Sequence, residues 1–182
     1  MIFPRNSFLI DISNLNKEGT VKDLFTKDVL LKIVNKSKND ILSRVVNFMS
    51  FRFIGKMEWD FIFGEQPVIK IEKKVFDTSI YIKYNFNNSF YNLYRVDVIN
   101  SIFPFSSVFS IYDSNGVECF RCKKDGVLDY KVVDNKGIVY ATINKSSLRV
   151  LKEEYYVSIE RLLDSYQNYI FLSLPVIISV FD

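Results

Sequence analysis

The chain has 182 residues, with 24 Lys plus Arg against 21 Asp plus Glu, two Cys and no His. A chain of this length is natural for one domain and buries about 70% of the surface its unfolded form exposes. Without His, every mechanism using an imidazole base is excluded, as is His-ligated zinc, and two thiols are too few for a four-ligand structural zinc site. The net charge of +3 and pI of about 8.7 fall short of a nucleic-acid footprint, so no nucleic-acid partner is expected.

Seventeen Phe and eleven Tyr, with abundant Ile, Val and Asn, favour pleated half-buried strands joined by Asn-containing turns. The N-terminus, MIFPRNSFLIDIS, has one early Arg and no apolar h-region of secretory length. With only two Cys, a reducing, cytoplasmic compartment is expected.

Residues 1–28 read as an extension. Phe8–Ile12 forms a short strand, and Asn14–Lys27 a polar loop with one helical turn at Val21–Phe25. From residue 29 the spacing predicts strand, turn, strand: Val29–Val34, then Asn35–Asp40, then Ile41–Val46. A helix over 28–49 is the rival, because Leu30, Ile33, Val34, Ile41 and Val45 partly fit a 3.6 period.

Three later segments resemble one another: Phe61–Lys74, Ile111–Lys124 and Val132–Lys145. The last two superpose without a gap at a shift of 21, with Asp113 on Asp134, Gly116 on Gly137, Cys122 on Ile143 and Lys124 on Lys145. Each reads as strand, Asp-x-x-Gly turn, strand. The Asp caps the turn backbone, and the Gly supplies positive φ at its exit. The first copy uses Gly64 and Pro67 instead. Further strand-like runs are Ser79–Tyr84, Phe90–Val96 and Tyr155–Ile159. Few, unevenly spaced copies favour a barrel or sandwich over a solenoid or propeller, and a closed barrel removes exposed edges.

The one long apolar run, YIFLSLPVIISVF at Tyr169–Phe181, has 13 residues, short of the roughly 17–25 a membrane-spanning helix needs. It reads as a buried core element and not as an integral span. Pro175 lies inside it, and a kink there or a start of the regular part near Ser173 are both open. The β-branched stretch Val176–Val180 leaves a strand open as well.

The residues Tyr112-Asp113-Ser-Asn-Gly116 and Val133-Asp134-Asn-Lys-Gly137, the latter continuing Val139-Tyr-Ala-Thr-Ile-Asn-Lys145, resemble the LURP-one-related family. That family belongs with the tubby C-terminal domains and phospholipid scramblases. The ending YIFLSLPVIISVFD is similar to its closing helix, and the likeness covers roughly residues 29–182. The resemblance implies an antiparallel β-barrel of about 12 strands with an apolar C-terminal helix along its axis. The single domain then divides into barrel hairpins over 29–165 and a central helix over 166–182.

Cys119-Phe-Arg-Cys122 lies in a return strand, where side chains three apart face opposite ways. It is expected to be structural rather than redox or metal-binding, with Cys122 facing inward. Glu153-Glu154, and Asp60 with Glu65, are read as solvated charges rather than acid/base pairs. The Asp-x-x-Gly loops lack the distant Glu of a Ca²⁺ loop. No cofactor or metal is expected, and no enzymatic activity. Basic residues gather at hairpin ends: Lys73, Lys74, Arg121, Lys123, Lys124, Lys145 and Arg149. Two explanations compete. Edge lysines block strand pairing, or a basic rim attracts anionic phospholipid, each cation contributing about 1 kcal/mol. The resemblance supports the second, because tubby domains bind phosphoinositides. The expected function is thus a non-enzymatic binding module peripheral to the membrane; the alternative is a structural or protein-interaction barrel with no lipid ligand.

Overall fold

The computed structural model describes residues 6–13, 18–39, 56–99, 108–146 and 152–181. Its strands are β1 (Ser7–Ser13), β2 (Glu18–Asp23), β3 (Val29–Asn35), β4 (Met57–Phe63), β5 (Gln66–Lys73) and β6 (Ser79–Phe86). They continue with β7 (Ser89–Ile99), β8 (Val108–Asp113), β9 (Glu118–Lys124), β10 (Asp129–Val133), β11 (Val139–Lys145) and β12 (Lys152–Ile159). Each strand pairs antiparallel with the next, and β1 closes the sheet against β12 from Ser7↔Ser158 to Ser13↔Lys152. The result is a closed barrel with no free edge. Strand directions alternate, so odd strands all finish at one end and even strands at the other.

A helix, α1 (Tyr169–Phe181), follows β12 through a 3-10 turn at Ser165–Asn168. Tyr169 through Ile178 are all buried, as an enclosed helix that is apolar all round requires. The helix runs unbroken across Pro175, and the strand alternative falls away. The Ser173 hydroxyl donates to the Tyr169 carbonyl at 2.8 Å and the Ser179 hydroxyl to that of Val176 at 2.8 Å. These bonds satisfy both polar side chains of the segment inside its own turns. Asn168 fixes the approach to the helix, its side chain exchanging two hydrogen bonds with the Leu163 backbone, each 2.8 Å.

The core consists of inward residues at period two, such as Phe8, Ile10 and Ile12 on β1 and Ile69 and Ile71 on β5, packed around Phe171, Leu174 and Ile177. The paired Asp-x-x-Gly turns are alike atom for atom. Asp113 Oδ1 accepts from the Asn115 and Val117 amides, and Asp134 Oδ1 from those of Lys136 and Ile138, all at 2.8–2.9 Å. Gly116 and Gly137 take φ of 80° and 81°. The β6–β7 hairpin turns on Asn87 and Asn88, both at positive φ, a two-residue loop whose twist matches the strands.

The structure corrects the N-terminal reading. The segment expected as a loop contains β2, and both β1 and β2 are barrel strands. Only Val21 of β2 is an inward apolar residue, so the alternation was too short to register. Gly19 is part of the reason that the strand exists: a Cβ there would lie 2.2 Å from the Asp11 carbonyl oxygen. After β2, Asp23 Oδ1 accepts from the Phe25 and Thr26 amides, making a turn in place of the helical turn expected at Val21–Phe25. The strand expected at Ile41–Val46 lies outside the described residues.

Candidate functional site

The alternation of strands carries Lys73, Lys74, Lys123, Lys124 and Lys145 to one end of the barrel, where the odd strands finish. It is also the end toward which α1 runs. Parity then decides which of them faces solvent. Lys73 continues the inward row Ile69 and Ile71 and is buried, at 1% exposure. It is therefore no rim residue, contrary to expectation. Its ammonium donates to the Lys74 carbonyl at 3.2 Å, and burial pulls its pKa down, with Asp77 opposing.

Lys145 continues the inward row Ala141 and Ile143. It pairs with Glu153 at 2.9 Å, with side-chain exposures of 8% and 11%, and sits 5.6 Å from the Tyr155 ring. Glu153 also accepts a 2.6 Å bond from the Tyr155 hydroxyl, so neither Lys145 nor Glu153 is a solvated charge. Lys124 follows Phe120 and Cys122 and lies 5.6 Å from the Tyr130 ring. The repeated hairpins thus end in inward-parity lysines at the mouth that the carboxyl end of α1 approaches, the polarity a helix C-terminus favours.

Arg121 is mid-strand, not at a hairpin end, and is held by Glu118 in a bidentate pair at 2.9 and 3.0 Å. Lys74 and Lys123 are exposed and have no ion pair among the described residues. Arg149 lies outside the described residues. Beside the two open lysines stand exposed apolar side chains. Phe76, at φ 62°, is 78% exposed in the β5–β6 turn, and Val127 is 75% exposed in the β9–β10 turn.

The opposite end, where the chain enters the helix, holds a cleft of about 490 Å³. Its wall is Tyr84, stacked on Tyr166 at 4.4 Å and 2°, with Tyr91 leaning in at 5.8 Å and 35°. Its floor is Tyr94 and Phe120, and Phe120 meets Phe171 of α1 edge-on at 6.0 Å. Sequence reasoning passed over these tyrosines. Tyr84 and Tyr91 face each other across the β6–β7 hairpin, a pairing the Asn87-Asn88 turn could have signalled, whereas Tyr166, after β12, has no local spacing to join it to them.

The C-x-x-C thiols split as expected, Cys122 buried and Cys119 half-buried. Burial pushes Cys119 up to about 11 and Cys122 up to about 12, with Asp113 adding to the first. Both stay protonated at neutral pH and are poor nucleophiles and poor metal ligands. Among the described residues no group of three or more Cys, Asp or Glu is placed to hold a metal, and no helix is long and apolar enough to cross a membrane. Other carboxylates gather in pairs on a lysine: Glu58 and Asp60 on Lys70 at 3.4 and 4.0 Å, and Glu154 and Asp11 on Lys152 at 2.8 and 3.6 Å. Asp60 is buried and its pKa is raised by that burial, so it is not the solvated charge expected. No protein-family model matches the chain, and no curated protein matches it.

Proposed function

We propose that the chain is a non-enzymatic, tubby-like binding module that docks reversibly on anionic phospholipid head groups, using the end where the odd strands finish. One observation carries the reading: Lys74, just after β5, and Lys123, near the end of β9, are exposed and without an ion pair among the described residues, and the turns that follow these two strands hold Phe76 and Val127 in solvent. An apolar tip flanked by cations suits a membrane interface, where it enters the head-group layer while each cation contributes about 1 kcal/mol. Phe76 adds a second argument, because a bulky residue at positive φ is costly and exposes its ring instead of burying it. The bound carboxylates and protonated thiols support a binding role over an enzymatic one.

Vesicle sedimentation tests the proposal. Phosphatidylserine or phosphoinositide vesicles are expected to pellet the protein, phosphatidylcholine vesicles to leave it in solution, and raised salt to release it. Phe76→Asp with Lys123→Glu is expected to abolish pelleting while the fold, read by circular dichroism, stays intact. Absence from every pellet would overturn the proposal and leave the protein-interaction barrel.

A further inference from the structure

The tyrosine cleft has a composition that the anionic-lipid reading does not use. Of the described residues lining it, none is Lys or Arg, although the chain carries 24 such residues. Its one carboxylate is Asp113, at the start of the β8–β9 turn. Three phenol rings form the wall, and Tyr91 and Tyr166 remain 49% and 43% exposed at the opening. Asn92, Asn115 and Gln167 add amide groups to the lining. The volume, about 490 Å³, lies within the range of small-molecule sites, roughly 300–1,000 Å³.

We infer that this cleft binds a small organic cation, an alkyl- or trimethylammonium group, against the tyrosine faces with Asp113 as its counter-charge. Ring faces are electron-rich and attract a cation held within about 6 Å of the centroid, and a weakly hydrated ammonium loses least on leaving water. A neutral aromatic ligand would use the faces but bring no cation to the Asp113 carboxylate, whose other role is to cap its own turn. An anion would meet both the carboxylate and the ring quadrupoles unfavourably. Asp113 acts on the cleft itself: after burial, its charge helps to push the Tyr94 phenol and the Cys119 thiol up. The floor is stiff, since Tyr94, Phe120 and Phe171 form an edge-on aromatic chain into the barrel core. The wall is stiffened by the Tyr84–Tyr166 stack, so little ordering is left to be done on binding.

The test uses choline chloride and its uncharged carbon isostere, 3,3-dimethylbutan-1-ol, titrated into the full chain while tyrosine ring resonances are followed by NMR, with sodium chloride as the ionic-strength control. Choline is expected to shift the rings of Tyr84, Tyr91 and Tyr166 saturably, and the isostere to bind at least about threefold more weakly. Asp113→Asn keeps the Oδ1 acceptor that the Asn115 and Val117 amides need, so the turn survives. It is expected to weaken choline about two- to fivefold and leave the isostere unchanged. Equal binding of choline and isostere, shifts reproduced by sodium chloride, or an Asp113→Asn variant with undiminished choline affinity would each overturn the inference.

Discussion

The two ends of the barrel use their polar and aromatic residues in opposite ways. At the end where the odd strands finish, charge is abundant, but much of it is committed: Lys145 to Glu153, Lys152 to Glu154 and Asp11, Lys73 to the Lys74 carbonyl. At the helix-entry end the carboxylates build turns, Asp113 and Asp134 each accepting two backbone amides, and the aromatic rings are left in reach of solvent. A cluster of lysines in sequence is therefore a poor guide to a cationic surface. Parity along the strand and the presence of a partner decide what a ligand meets.

Five substitutions sharpen that contrast. The largest effect belongs to Phe171→Ala. The ring is fully buried on α1 and touches Phe120 under the cleft. Its removal leaves a cavity and is expected to cost about 3–5 kcal/mol, read as a lower midpoint in urea. Lys145→Met comes next. It leaves Glu153 buried beside Tyr155 with its cation gone, at a cost of about 3 kcal/mol. A neutral outcome would return Lys145 to the rim charges that its hairpin-end position suggests. Asp134→Ala removes the acceptor of two amides and is expected to cost about 1–2 kcal/mol.

Much of this architecture was legible in the sequence, because the strands advertise it locally. The Asp-x-x-Gly repeat placed two hairpins whose turns match in every backbone bond, and the apolar segment, with Ser173 and Ser179 as its polar exceptions, fits the enclosed helix that the family resemblance implies. Pro175 left continuity open, and the helix runs through it because the cost of an interior proline is offset by packing on all sides of the helix. β2 was missed because one inward Val and one Gly do not make a period. Lys73 was misplaced although its parity with Ile69 and Ile71 was there to be read; a charged side chain was assumed to face solvent, and three methylene-rich lysines at a barrel mouth do not obey that rule. The cleft as a whole was not legible. Tyr84, Tyr91 and Tyr94 share the β6–β7 hairpin, but Tyr166, Asp113 and Phe120 come from other parts of the chain, and only the closed barrel and the turn after β12 add them to the cleft.

The smallest expected effect is the most discriminating. Lys74 and Lys123 are exposed and have no ion pair among the described residues, so Lys74→Met and Lys123→Met remove charge without orphaning a buried partner. Each is expected to change folding stability by less than about 0.5 kcal/mol. If their positions were fixed by the fold, as that of Lys145 is, the urea midpoint would fall in step. Midpoints that stay put while pelleting with phosphatidylserine vesicles drops would assign these two lysines to a partner outside the barrel. A drop in both would instead return them to the barrel's own internal electrostatics.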